Sequence, residues 1–345
     1  MNLKPIHHLG RVDWGVILES LDLLLSVSGT FSGCSYTGIT EKQDSKYLRS
    51  ELSQGFAVLE GITAEILHEI HTKGAVLLKG IGQSYSPEQQ ARILYILSVM
   101  MGQPAAADKV SGQVIWDIRQ RTLPVGNQAY YETFSEGRGE APFHTDTSFY
   151  PDPVEIIGLM CIKQAACGGG VNRLAHLNDL KEKLQDAKHR WAYEYLSKVP
   201  LAFRIPGAFT FDQSPDIAEV IQSTVLSDKP GIRLRIDSMR KGADFYRHEY
   251  YRETMNSVLH LMALADRDDV RLNLMMDEGD ILLVNNHDVI HYRNAFSDSQ
   301  RHLLRIWIAQ HDPIATSPDS VIRYPVEAHF ISDQKPMRQA EPSTV

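Results

Sequence analysis

A mainly β core with flanking helices, an α+β chain whose strands close into a β-sandwich or barrel, is the fold class the sequence predicts. Short apolar and β-branched runs recur between Ala75 and Ile308, separated by turns containing Gly or Pro. Helical periodicity is concentrated ahead of residue 75 and in a stretch from about 178 to 265. No internal repeat, low-complexity tract or linker interrupts the chain. One domain over residues 1–345 is therefore expected. It comprises a helical elaboration at 1–74, a core at 75–310 with a partly helical insertion at about 177–270, and a tail at 311–345.

Asp13 can cap a helix running through Trp14, Ile17, Leu21 and Leu24 toward Gly29. Residues 30–46 are rich in Gly, Ser and Thr and read as loop, and a second short helix ends near Gly74. Ala75–Lys79 then reads as a buried strand. Ser86-Pro87-Glu88-Gln89 is a helix start, with a serine cap, a proline in the first turn and a glutamine three residues after the cap. That helix runs through Ile93, Leu97 and Met100 and stops at Gly102. Val114–Arg119 is strand-like, and Leu123–Tyr130 reads as loop. The apolar run Val154–Lys163, a Cys-Gly-Gly-Gly turn and Val171–His176 suggest a hairpin. Residues 178–198 are helical in composition. Strands return at Leu201–Ile205 and Ile232–Ile236, followed by a helix at Phe245–Ala265. Four strands close the core: Arg271–Met275, Asp280–Asn285, Val289–Arg293 and His302–Ile308.

With 43% hydrophobic and 23% charged residues, the 345-residue chain can bury a substantial core. A net charge of −8 and the lack of any long Lys/Arg cluster argue against a nucleic-acid partner. Cys34, Cys161 and Cys167 lack Cys-x-x-Cys spacing, so neither a disulfide framework nor a cysteine zinc site is expected. The N-terminus lacks the apolar core of a signal peptide. The most apolar early segment, Val16–Val27, carries Glu19 and Asp22 and is too short to span a bilayer. The expectation is a cytoplasmic chain that binds a small molecule and neither nucleic acid nor membrane.

The chemistry concentrates in Pro142–Tyr150, which reads as a strand carrying His144 and Asp146 two residues apart. Side chains at i and i+2 leave one face of a strand, so imidazole and carboxylate would point together, two thirds of a facial metal site. A second histidine comes from the last strands. After Gly279-Asp280-Ile281-Leu282-Leu283-Val284-Asn285-Asn286 come His287 and His291, and ten residues beyond His291 begins Arg301-His302-Leu303-Leu304-Arg305. Alternation puts Arg301, Leu303 and Arg305 on one face. An arginine among apolar neighbours is costly unless it pairs with an anion, either a carboxylate of the protein or one of a ligand.

His144-x-Asp146, a histidine 145 positions beyond the aspartate, and an arginine 14 beyond that histidine form an ordered set. The set resembles the iron(II)- and 2-oxoglutarate-dependent dioxygenases, in the branch containing taurine dioxygenase and clavaminate synthase. The strand Ala75–Gly80, the stretch Cys167–Leu174 and the Gly279-to-Arg305 pattern match the same branch, and together they cover most of residues 75–310. The resemblance implies a double-stranded β-helix (jelly-roll) core. It implies Fe(II) held by His144, Asp146 and His291, with 2-oxoglutarate and O2 completing the coordination. Arg305 would hold the distal carboxylate of 2-oxoglutarate. The products would be succinate, carbon dioxide and an oxidised C–H. Halogenases of this superfamily carry a small residue at the Asp146 position, so the aspartate points to hydroxylation first, with desaturation, epoxidation or cyclisation also open. One departure stands out. Relatives carry Ser or Thr after the double glycine as a cosubstrate contact, whereas here Gly168-Gly169-Gly170 leads to Val171-Asn172, and Asn172 is the candidate donor.

His287 and His291 have the i, i+4 spacing of a helical zinc pair, but their context is extended and no Glu follows His287. His68 and His71 read as solvated on a surface helix, and His7 and His8 as terminal. Arg119, Arg121, Tyr130, Tyr131 and Phe134 lie just upstream of the metal strand, where related enzymes bind substrate; as residues alone they read equally as surface charges and core aromatics. Thr147 and Arg301 join the candidates for substrate contact. The expected function is oxidation of a small molecule, preferably an amino-acid-derived or other natural-product intermediate. A catabolic dioxygenase of a simple sulfonate or organic acid is the alternative enzyme, and a non-catalytic jelly-roll metal- or ligand-binding protein the alternative of another class.

Overall fold

The computed structural model describes residues 3, 5–7, 9, 12–27, 35–107, 111–120, 137–212, 214, 216–245, 251–310 and 320–326. The N-terminal part is helical. Helix α1 (Trp14–Val27) buries Trp14, Ile17, Leu18, Leu21 and Leu25, a stripe of helical period. Where one short second helix was expected there are two, α2 (Ser45–Gly55), capped by the Asp44 carboxylate, and α3 (Ala57–Lys73). Gly74 ends α3 with φ 80°, and a Cβ there would lie 2.5 Å from the His176 ring, so only glycine suits the position. The chain turns straight into strand β1 (Ala75–Leu78), and helix α4 (Pro87–Met101) opens on the capping box read from Ser86 and Gln89.

Strands follow in the order β2 (Gln103–Ala105), β3 (Ile115–Arg119), β4 (Ala141–His144), β5 (Ile156–Lys163) and β6 (Asn172–His176). Helices α5 (Leu177–Gln185) and α6 (Arg190–Lys198), strands β7 (Leu201–Arg204) and β8 (Ile217–Ser223), and helices α7 (Ile236–Ala243) and α8 (Tyr251–Ala265) fill the insertion. The last strands are β9 (Leu272–Leu274), β10 (Ile281–Asn285), β11 (Val289–Arg293), β12 (His302–Ala309) and β13 (Ile322–Pro325).

These strands make a large sheet in the order β1-β10-β5-β12-β2, with β3 also paired to β12, and a four-stranded sheet in the order β4-β11-β6-β9. The two stack face to face. Leu77, Ile157, Leu159, Leu303 and Trp307 of the large sheet share one core with Phe143, Leu174, Val289 and Ile290 of the small one. The other face of the large sheet, through Leu78, Met160, Leu283, Leu304 and Ile306, packs against α1 to α4. Strands covered on both faces read as unbroken apolar runs, which is why Ile281 to Val284 shows no alternation in sequence although alternate residues serve different cores.

Several expectations are corrected. β5 and β6 do not form a hairpin: β5 pairs with β10 and β12, β6 with β11 and β9, and the glycine turn carries the chain from one sheet to the other. Ile232–Ile236 is not a strand; Ile232 makes an isolated bridge with Leu226, and α7 begins at Ile236. The segment expected as tail supplies β13, which pairs with β8 and joins β7 in a third sheet. The loop read at Leu123–Tyr130 lies outside the described residues. No helix among them is long and apolar enough to cross a membrane.

Candidate active site

The site is built where β4 meets β11. His144 and His291 are direct cross-strand partners, and their ring centroids lie 4.1 Å apart. Asp146 is not on the strand as expected: β4 ends at His144, and Asp146 opens a turn in which Thr147 takes φ 52°. The turn, not strand alternation, brings the carboxylate back beside the imidazole. Asp146 Oδ1 lies 3.6 Å from His144 Nε2 and 3.9 Å from His291 Nε2. The ligand atoms of the three residues lie within 4.8 Å of one another, a cluster capable of binding iron.

Neighbouring groups fix each member. His144 Nδ1 pairs with the Pro142 carbonyl at 2.7 Å, which makes Nδ1 the protonated nitrogen and turns the Nε2 lone pair toward Asp146. Burial, with His144 beside it, pushes the His291 imidazole down to about 3, so it is neutral at physiological pH. Burial alone would raise the Asp146 carboxyl, but Arg305 and the two histidines hold it well below the usual carboxylate range. Asp146 Oδ2 accepts from Trp307 Nε1 at 2.7 Å and faces Arg305 Nη1 at 3.2 Å. Asn286 fixes the Asp146 backbone: its Oδ1 accepts from Asp146 N at 2.8 Å, and its Nδ2 donates to Asp146 O at 2.9 Å and Val154 O at 2.8 Å.

A pocket of about 500 Å³ opens beside the triad. Ile118, Ile157, Leu159 and Leu303 form its apolar wall, while Asn172, Arg293, Arg301 and Arg305 line it with charge and amide. Arg301, 2% exposed, stacks over Phe296 at 4.9 Å, and its Nε and Nη1 are buried with no hydrogen-bond partner among the described residues. Burial, with Arg293 nearby, pulls its guanidinium down to about 10. Arg293 is held by the carbonyls of Gly137 and Gly139 at 3.0 and 2.5 Å. Arg305 lies over the Trp307 ring at 4.4 Å. Above the triad, Leu234 exchanges two hydrogen bonds with Thr145 (2.7 and 3.1 Å), which brings in buried Arg235 and its partner Asp237 at 3.2 Å.

A model of the taurine catabolism dioxygenase TauD, TfdA family matches residues 49–307. The chain belongs to that family. TauD/TfdA members are non-haem iron, 2-oxoglutarate-dependent dioxygenases. FR-33289 synthase of Streptomyces rubellomurinus (strain ATCC 31215) is 26% identical over 177 residues, 48% of this chain and 49% of the relative, so the match spans about half of that protein's length. Asparagine oxygenase in complex with Fe(II), 2S,3S-3-hydroxyasparagine and succinate is similar in structure, with a TM-score of 0.57 and 16% identity over 80% of this chain and 87% of that one. The non-heme iron oxygenase OrfP in complex with Fe, succinate and (3S)-hydroxy-L-Arg has a TM-score of 0.57 and 15% identity over 90% and 95% of the two chains. At these identities the structural likeness is one of fold.

Within this TauD/TfdA chain the remaining sequence candidates fall in different places. Thr147 has its hydroxyl engaged inside the turn, donating to Asp146 O and accepting from Val154 N, and does not line the pocket. Arg119 sits half-exposed on β3, 3.6 Å from Asp117, also outside the pocket lining. Arg121, Tyr130, Tyr131 and Phe134 lie outside the described residues. His287 bonds the Pro153 carbonyl at 2.9 Å and takes no part in the cluster. Two residues that sequence reasoning passed over stand beside the triad. Trp307 had a signal, since it lies two residues past Arg305 on the same strand face. Asn286 had none beyond a polar pair closing an apolar strand.

Proposed function

We propose that this TauD/TfdA-family chain is an Fe(II)- and 2-oxoglutarate-dependent oxygenase that hydroxylates an unactivated C–H of a small, amino-acid-derived or other natural-product intermediate. The observation that carries the proposal is the convergence of His144 Nε2, Asp146 Oδ1 and His291 Nε2 beside the buried guanidinium of Arg301, whose Nε and Nη1 have no hydrogen-bond partner among the described residues. The donor set fits the metal: a neutral His291 and an ionised Asp146 need lose no proton to bind a cation at neutral pH. When bound, iron with 2-oxoglutarate and O2 supplies an oxidant strong enough to attack a C–H bond, at the expense of the cosubstrate's decarboxylation to succinate and carbon dioxide.

The chain's own residues bind and orient. Among the arginines, Arg305 already faces Asp146, whereas Arg301 is buried, has no anion beside it among the described residues and lies in the same pocket as Asn172. Arg301 is therefore the better arm for the distal carboxylate of 2-oxoglutarate than Arg305, with Asn172 as the amide donor where relatives have a hydroxyl. Three guanidiniums against one carboxylate in the pocket lining favour anionic ligands, so the substrate carries an acidic group that Arg305 can reach. The Arg235–Asp237 pair adds one group of each sign near His144 and His291, which suits an amino-acid-like molecule. Hydroxyasparagine and hydroxyarginine in the structurally similar oxygenases are in keeping with that class. In this reading the two stacked sheets are the jelly roll, and residues 1–345 form a single catalytic unit.

The test is anaerobic addition of Fe(II) and 2-oxoglutarate, followed by the visible charge-transfer band and by succinate on admitting oxygen. Both signals are expected from the wild type and neither from Asp146→Ala; a wild type silent in both overturns the proposal. Arg301→Gln should raise the KM for 2-oxoglutarate about a hundredfold, well beyond the effect of Arg305→Gln. The reverse order would return that role to Arg305.

A further inference from the structure

We propose that Trp307 is a positioning residue that makes the metal-binding carboxylate a one-oxygen ligand, a role that rests on the iron reading above. The two oxygens of Asp146 have different surroundings. Oδ1 faces His144 Nε2 and His291 Nε2, at 3.6 and 3.9 Å. Oδ2 points the other way, toward Trp307 Nε1 at 2.7 Å and Arg305 Nη1 at 3.2 Å. A carboxylate with both oxygens free can rotate and clasp a cation through the pair. Here the rotation would break a short bond from a neutral donor to an anion in a buried place, where such bonds are strong.

The consequence concerns coordination number. An ion of octahedral preference held by two imidazoles and one carboxylate oxygen keeps three positions for cosubstrate and dioxygen. A second Asp146 oxygen would take one of them. Trp307 withholds that oxygen.

The two donors to Oδ2 are not equivalent. Arg305 is a long, charged side chain at the pocket wall, and an acidic ligand group competes with Asp146 for it. Trp307 is 3% exposed, carries one donor and no acceptor, and stands on a strand paired on both sides, to Ile157 of β5 and Ala105 of β2. Its ring packs on Phe209 at 5.8 Å. Nothing that enters the pocket can offer the indole a better acceptor without first displacing Asp146. The Trp307 contact therefore persists when a ligand draws Arg305 away.

Trp307→Phe removes the N–H and puts a smaller aromatic ring in place of the indole, while Phe209→Leu loosens the indole's packing and leaves the N–H in place. Difference infrared spectra with and without Fe(II) should show, for Trp307→Phe, the narrow separation of carboxylate stretches that two-oxygen ligation gives, and for Phe209→Leu the wide separation of one-oxygen ligation. A wide separation in Trp307→Phe overturns the role, as does a narrow one in Phe209→Leu, which would make the effect one of packing. A wild type that binds no Fe(II) removes the iron reading itself, and this role with it. A second measurement needs no variant. Difference infrared spectroscopy of wild-type protein with 13C-labelled aspartate, with and without Fe(II), should show the wide separation of carboxylate stretches that one-oxygen ligation gives. The narrow separation of two-oxygen ligation overturns the proposal whether or not the variants fold.

Discussion

Gly170 and the guanidinium of Arg301 are built against each other: a Cβ added to Gly170 would lie 2.6 Å from Arg301 Nε. The glycine also holds φ 73°, a conformation that side chains other than glycine rarely adopt. Gly170→Ala should therefore cost stability, by roughly 1–3 kcal/mol, and push the arginine out of line. If Arg301 holds the cosubstrate, the KM for 2-oxoglutarate should rise about tenfold or more while Fe(II) affinity in its absence stays close to wild type. Steady-state kinetics in 2-oxoglutarate and an anaerobic iron titration separate the two effects. A displaced Arg301 with an unchanged KM would leave the cosubstrate role to another residue.

Asn286 replaces a missing strand partner for the turn that carries Asp146. It makes three hydrogen bonds while 1% exposed, so truncation leaves one N–H and two carbonyls buried without those partners. Asn286→Ala should destabilise the metal-free protein by roughly 2 kcal/mol or more, at about 1–3 kcal/mol for each of the two groups left unsatisfied, since Asp146 O keeps the Thr147 hydroxyl. The Asp146 turn should loosen with it, and Fe(II) binding should weaken. Asn286→Asp can still accept from Asp146 N but loses both donated bonds, and its charge is buried, so it should fare no better. Denaturant midpoints of the metal-free variants check the ranking; an Asn286→Ala protein as stable as wild type would show that water takes over those bonds.

How much of this was legible in the sequence depended on whether local pattern or tertiary context decided the outcome. The capping box at Ser86 and Gln89, the apolar strand from Ile281 and the shared face of Arg301, Leu303 and Arg305 are local facts, and the structure has them as read. The convergence of His144, Asp146 and His291 was also read, but the means by which Asp146 converges was not, because a positive φ at Thr147 has no composition signal. The hairpin expected around Gly168-Gly169-Gly170 failed for a similar reason. A glycine turn shows that the chain reverses, not which strands its arms will pair with, and two stacked sheets offer each arm different partners. Ile232–Ile236 looked like a strand because β-branched residues also line buried loops. β13 was missed because it is completed by β8 from about a hundred residues away. The assignment of Arg305 rather than Arg301 to the cosubstrate rested on the family resemblance and the spacing that carries it. Side-chain geometry adds that Arg305 faces Asp146 while Arg301 is buried without an anion beside it among the described residues.

Acidification should unmask His291. Burial, with His144 beside it, pushes this imidazole from 6.5 down to about 3. The unfolded chain takes up a proton here as pH falls below 6.5, while the folded chain refuses it until about 3. The unfolded state thus binds more protons across that interval. Its gain over the folded state grows by about 1.4 kcal/mol per pH unit for one proton, so stability falls on acidification and is independent of this group above 6.5. Asp146 is shifted in the same direction and acts later. Its carboxyl, held low by Arg305, stabilises the fold above the ordinary aspartate range, and that contribution disappears only in stronger acid. His260 and His176 are also shifted down, by burial first, and add to the slope in wild type and variants alike. The informative quantity is therefore the difference between metal-free wild type and His291→Gln, taken from urea midpoints at pH 7, 6, 5 and 4. The variant should be relatively more stable with each step into acid, and the two curves should run parallel above pH 6.5. Curves that stay parallel down to pH 4 would show that His291 takes up its proton in the folded protein at an ordinary pH, and with it would go the argument that the site is ready to bind a cation without first losing a proton.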